Sequence, residues 1–272
     1  MPTGAVRELV TNAEKPGEEG SAVTEMQFAL LSRLAEVDYP CGARLLHKHL
    51  EAAGFAVSEA SVSRVLLDLD EAGLTSRAGS KGRSITDAGR QLVRAIRDSR
   101  DRDAELARAL DINTIEQVFD LLHARRAVES EAARAAAERI TESELVELRA
   151  LLEQHRHHLE SGSVGRQCAQ MFHRVLMQFS GNPLLITLGN TILSDQLDYL
   201  EGVLDVVTAL RGSADESPND HAVILDALAA RDPDAAERAM RAHLSRLIGD
   251  LKDFAATDNT PVLSRVLRMM QG

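Results

Sequence analysis

From residue 113 to 255 the chain offers one amphipathic helical pattern after another and no strand signal. Such a run confines the second half to an all-α antiparallel bundle. Its punctuation is dense enough to count helices. Asn113 with Glu116 three residues later predicts one N-terminus, and Thr141 with Glu144 predicts the next. "SGNP" at 180–183 and "RDPD" at 231–234 each stop one helix and start another. Pro183 and Pro233 fall at first-turn positions, where a missing N–H costs nothing. The polar run 211–220 reads as a loop, so about six helices are expected. With 6 Phe, 2 Tyr and no Trp in the chain, their core must be Leu, Val, Ile, Ala and Met.

The rest divides by composition. Residues 1–22, rich in Gly, Pro and Glu, read as a disordered leader without the apolar segment of a secretory signal. Residues 23–97 are expected to form one small domain, 98–112 a charged linker or helical extension, 113–255 the helical domain and 256–272 a tail. No apolar run approaches the ~20 residues a membrane span needs. Two cysteines, Cys41 and Cys168, build no disulfide framework, and a cytoplasmic location is the expectation. The net charge of −11 argues against general nucleic-acid affinity, but it is unevenly spread. Residues 74–97 hold six basic side chains against the single acid Asp87, a local stripe of the kind that meets phosphates.

Around that stripe the pattern is helix, short turn, helix and basic hairpin. One helix is expected over 43–53 with Leu45, Leu46 and Leu50 on its apolar side, ended by Gly54. Ser58 caps a second, with Val62, Val65, Leu66 and Leu69 inward, ended by Gly73. Two extended pieces then flank a Gly-rich turn, and Thr86 starts a last helix. This is the winged helix-turn-helix plan, whose second helix enters the major groove of double-stranded DNA. Ser58, Ser61, Ser63 and Arg64 are the candidate contacts on that helix, and Arg77, Lys81 and Arg83 on the wing.

Three histidines carry the chemistry of the second half. His221 and His243 each lie 11 residues from the break at Asp232. Residues equidistant from the turn of a helical hairpin sit level, because both helices rise ~1.5 Å per residue. His221 shares a face with Leu225 and Leu228, His243 with Met240 and Leu247, and His173 with Leu176 and Met177. Imidazoles gathered in an apolar core are costly unless paired or coordinated, and together they suit a divalent ion such as Zn²⁺ or Ni²⁺. The "HRHH" run at 155–158 reads instead as a solvated face.

Two resemblances follow from these motifs. "VSEASVSRVLLDLDEAGL" with "GSKGRSITDAG" resembles the winged helix found beside ribonuclease R and in archaeal NrpR regulators. "LLHARRAVESEAARAAAERITESELVELRALL", "MFHRVLMQFSGNPLL" and "HAVILDALAARDPDAAERAMRAHL" resemble the FCD ligand-binding domain of GntR-type transcription regulators. That second likeness implies a dimeric, mainly α protein: an N-terminal winged helix-turn-helix and a C-terminal bundle that binds DNA under control of a small carboxylate effector. It also implies metal ligands at His173, His221 and His243, and effector contacts at Arg125 and Asn182. The family's fourth ligand, an aspartate one turn before the first histidine, is replaced here by Ala169. Two other functions stay open: a three-histidine metal-dependent hydrolase, and an effector-binding protein whose winged helix docks a protein partner.

Overall fold

The computed structural model describes residues 23–161, 166–213 and 215–256 and positions 265, 267 and 269. The expected leader and most of the expected tail lie outside the described residues. The chain divides into two compact units, with the division between Arg108 and Ala109.

In the first unit, α1 (Glu25–Ala35), α2 (Ala43–Ala52) and α3 (Glu59–Glu71) enclose a leucine core. Thr24 and Gln27 form a capping box at the start of α1, and Ser58 Oγ accepts from Ser61 N–H at the start of α3. Leu30 and Leu34, Leu46 and Leu50, and Val62, Leu66 and Leu69 are buried, each pair or trio at the three- or four-residue spacing of one helix face. Leu45, expected on that face, is 44% exposed, because a residue next to Leu46 points well away from it. Val65 is half-buried at the core's edge.

The wing is an antiparallel pair, β1 (Thr75–Arg77) and β2 (Arg83–Ile85), with Thr75 opposite Ile85 and Arg77 opposite Arg83. Cys41 extends it: its N–H donates to the Arg83 carbonyl at 2.9 Å, and its carbonyl accepts from the Arg83 N–H at 3.0 Å. Gly82 makes this approach possible. Its φ is +115°, and a Cβ there would lie 2.3 Å from the Cys41 oxygen. Thr86 Oγ1 then caps α4 (Asp87–Ala109) by accepting from Gly89 N–H at 3.1 Å. The stretch 98–112 is helix up to Ala109 rather than open linker; residues 98–109 hold three Arg and three Ala and no Gly or Pro.

The second unit holds α5 (Ile115–Ala137), α6 (Glu142–Glu160), α7 (Arg166–Phe179), α8 (Pro183–Ile192), α9 (Asp198–Arg211), α10 (Glu216–Ala229) and α11 (Pro233–Phe254). Among the described residues that is seven helices, where about six were expected. The extra boundary lies after Ile192. Arg174 of α7 holds it, donating to the Leu193 carbonyl, to Asp195 and to Asp198 at 2.5 to 2.6 Å. Two other boundaries differ from the sequence reading. Thr114 with Gln117, not Asn113 with Glu116, forms the capping box of α5. The presumed loop 211–220 is helical from Glu216. Thr141, Asn182 and Asp232 cap their helices as expected. The small face of α5, Ala132, Ala133 and Ala136, is fully buried, and α5 packs against α7, α8, α10 and α11.

Candidate metal and effector site

Six helices bring polar side chains to one cavity of about 230 Å³ in the second unit. His173 comes from α7, His221 from α10 and His243 from α11, with exposures of 3%, 1% and 2%. Their ring centres lie 4.7 to 5.2 Å apart. The candidate ligand atoms all fall within 4.8 Å of one another. His173 Nε2 and His221 Nε2 are 3.1 Å apart. Phe172 stacks on the His221 ring at 4.5 Å and holds its plane.

Carboxylates back two of the three rings. His243 Nδ1 donates to Asp220 Oδ2 at 3.0 Å, and Arg246 Nε grips the same oxygen at 2.7 Å. His173 Nδ1 lies 2.5 Å from Glu129 Oε2, a close contact rather than a well-aligned hydrogen bond. Glu129 is fully buried. Burial pushes its carboxyl up, but Arg125 and then His173 outweigh that and hold it down to about 2. Arg125 donates from Nε to Glu129 at 2.7 Å and from Nη1 to Glu201 Oε1 at 2.6 Å. Burial opposes its charge, yet the two carboxylates raise its pKa above the ordinary arginine value.

Burial depresses His221 and His243. It brings His243 down to about 4 despite the opposing pull of Asp220, and His221 well below the ordinary imidazole value. Both rings are neutral at neutral pH, the form that ligates metal.

The donor set fits a divalent cation. Nitrogens on a tetrahedral Zn²⁺ with Zn–N of ~2.0–2.1 Å stand ~3.3 Å apart, close to the His173–His221 separation. Asp220 occupies the far nitrogen of His243, and the near one, Nε2, is buried without a hydrogen-bond partner. Carboxylates on the outer nitrogens are the usual support of metal-binding imidazoles. Ala169 lines the cavity one turn before His173 and offers no donor, so among the described residues the donor set is three histidine nitrogens, which would leave a tetrahedral ion one open position.

The other residues singled out from sequence are placed unevenly. Arg125 lines the cavity. Asn182 does not line it; its Oδ1 accepts from Leu184 and Leu185 N–H at the start of α8, so it is a helix cap. His155, read as part of a solvated face, is 4% exposed and lines the cavity, with its ring 5.6 Å from that of His221. Burial, then His173, lowers its pKa to about 4. The signal was available: Leu145, Leu148, Leu152 and His155 follow one inward stripe of α6. Glu129, Glu201 and Asp220 were also missed, because their roles depend on pairings between helices.

In the first unit, Arg64 and Lys81 are exposed, and Arg77 keeps 65% of its side chain in solvent. Ser61 and Ser63 are half-buried, and the Ser58 hydroxyl is used by its cap. Arg83 is turned inward. Its Nε donates to Asp70 Oδ2 at 2.8 Å with 13% of the side chain exposed. Asp70 also accepts from Thr75 Oγ1 at 2.6 Å and from Arg77 Nε at 3.4 Å, so it ties α3 to both wing strands.

The first unit is thus a winged helix, and the second an α bundle with a buried cavity lined by histidines. Comparison with known proteins agrees. Residues 120–246 match the FCD domain family, and residues 28–93 match the ribonuclease R winged-helix domain. The second unit is thus similar to an FCD domain and the first to the ribonuclease R winged helix. The chain is 32% identical over 133 residues to the HTH-type transcriptional repressor NanR of Escherichia coli (strain K12), covering 48% of this chain and 49% of that one. It is 32% identical over 117 residues to NanR of Salmonella newport (strain SL254), covering 43% and 44%. The chain thus matches about half the length of these curated relatives. The solved structure of Streptococcus agalactiae GntR aligns with 89% of this chain and 98% of its own at a TM-score of 0.43 and 19% identity. Among the described residues, no helix is long and apolar enough to cross a membrane.

Proposed function

We propose that this chain is a homodimeric, DNA-binding transcriptional regulator whose helical unit senses a small organic acid with the help of a divalent metal. The observation that carries this is the meeting of His173, His221 and His243 in the cavity of an FCD domain, on a chain that also bears a winged helix. Nε2 of the three histidines would hold the ion, and the ion would supply positive charge for an acid group at the open position. Glu129 and Asp220 orient the outer ring nitrogens, and Arg125 braces α5 against α9.

Regulation requires that the ligand bind two arrangements of the protein with different affinity. Arg64, Arg77 and Lys81 supply exposed charge for DNA, and Arg83 supports the wing from inside. A hydrolase would need a general base free to work. Glu201 is committed to Arg125, and turnover of carboxylate esters or amides is the observation that would favour the hydrolase.

The test is metal content of the purified full-length protein by mass spectrometry, beside His221→Ala, with operator selection from a random DNA library. Stoichiometric metal lost in the variant, with a recovered DNA motif, supports the reading. Absence of both defeats it.

A further inference from the structure

His155 stands in a leucine stripe. On the inward face of α6 it follows Leu145, Leu148 and Leu152 at steps of three and four residues, and Leu159 follows it. His155 and Leu159 both line the cavity. The imidazole is 4% exposed and its Nδ1 is buried without a hydrogen-bond partner. Among the described residues neither ring nitrogen is paired. Burying a polar ring unpaired lowers stability, whereas a leucine at the same step would only add packing. Buried polar groups are ordinarily paired, so an imidazole left open on a cavity wall is available to whatever fills the cavity.

Its place beside the triad decides what it can meet. The ring centre lies 5.6 Å from that of His221, against 4.7 to 5.2 Å within the triad. The nitrogens within 4.8 Å of one another belong to His173, His221 and His243, without His155. His155 therefore neighbours the candidate ion and stays outside its donor set. The other lining groups are less available. Arg125 already donates to Glu129 and to Glu201, and Ala169 presents only a methyl group. An imidazole keeps at least one N–H to donate in either protonation state.

We propose that His155 is an effector-binding residue, donating a hydrogen bond to an acid oxygen of the ligand held at the open position of the ion. The proposal rests on the metal-assisted sensor reading above. A carboxylate then bridges the site, with one oxygen on the ion and the other on His155. This favours a two-oxygen acid group over a ligand that meets the ion through a single atom.

The experiment uses the full-length protein loaded with Co²⁺, whose visible absorption reports its coordination, with acetate and thiocyanate as probes. Acetate should perturb the bands of the wild type and bind about ten-fold more weakly to His155→Leu, the loss of one hydrogen bond to a charged group. Thiocyanate, which meets a metal through one atom, and Co²⁺ itself in chelator competition should each change by less than about three-fold. His155→Gln keeps an N–H donor and should recover part of the acetate affinity. His155→Leu should keep or raise the urea midpoint of the metal-free protein, because leucine continues the stripe. Wild-type bands unmoved by acetate, equal acetate affinity in His155→Leu, or an equal loss of thiocyanate would each overturn the proposal while the metal reading stands. Co²⁺ affinity falling as far in His155→Leu as in His221→Ala would also overturn it, by making His155 a ligand of the ion. A wild type that takes up no Co²⁺ would remove the metal reading and the proposal together.

Discussion

Arg125 Nη1 and Glu201 Oε1 meet at 2.6 Å across 76 positions of chain, fastening α5 to α9. The same guanidinium holds Glu129 one turn away, so three buried charges depend on one side chain. Removing one partner of a buried pair strands the others, at a cost of about 3–5 kcal/mol. Arg125→Met should therefore lower stability by about that amount, read from urea unfolding of the metal-free protein. Arg125→Lys should recover only part of it, because an ammonium lacks the fork that engages two carboxylates at once.

Acid should weaken the metal-free protein in a defined window. His155 and His243 titrate near 6.5 when unfolded and near 4 in the fold. Between those values the unfolded chain binds more protons, so stability is fully present above about pH 6.5 and is lost as pH falls toward 4. Each histidine contributes up to about 3 kcal/mol of this slope. The urea midpoint in the presence of chelator should fall steadily from pH 7 to pH 4.5. His155→Leu should flatten the curve, and an unchanged slope in that variant would refute the assignment.

Ala169→Asp tests the open position directly. Ala169 lines the cavity one turn before His173, so a carboxylate there can reach the space that the three Nε2 atoms face. Adding a hard anionic ligand to three neutral nitrogens should tighten Zn²⁺ binding by about ten-fold or more in chelator competition. By occupying that position it should also weaken binding of any acid that uses it.

How much of this was readable beforehand depends on the range of the interaction. The meeting of His221 and His243 followed from counting 11 residues on each side of Asp232, since helical rise is fixed and the turn is marked by Pro233. The winged helix followed from local caps and glycines: Ser58, Gly54 and Gly73 act within a few residues of themselves. What escaped needed partners from elsewhere. The break after Ile192 depends on Arg174, 19 to 24 residues earlier in the chain. The inward turn of Arg83 depends on Asp70, 13 residues away, which becomes its neighbour only when the hairpin register sets Arg77 opposite Arg83. The resemblance points Asn182 toward an effector, while locally its side-chain oxygen caps α8.

The wing offers the sharpest separation of roles. Arg77 and Lys81 project into solvent, whereas Arg83 is spent on Asp70. Each phosphate contact contributes about −0.9 to the slope of log K against log salt on duplex DNA. Arg77→Ala with Lys81→Ala should therefore flatten that slope by about 2 and leave thermal stability nearly unchanged. Arg83→Ala should behave in the opposite way. It removes the charged donor nearest to Asp70, leaving Thr75 and the longer contact to Arg77, and should cost about 1–3 kcal/mol of stability in the first unit with little change in salt slope where the fold persists. Fluorescence anisotropy on one duplex from 50 to 300 mM salt, with melting curves for each variant, distinguishes the two. A slope change in Arg83→Ala equal to that of Arg77→Ala would show that Arg83 leaves Asp70 to meet phosphate.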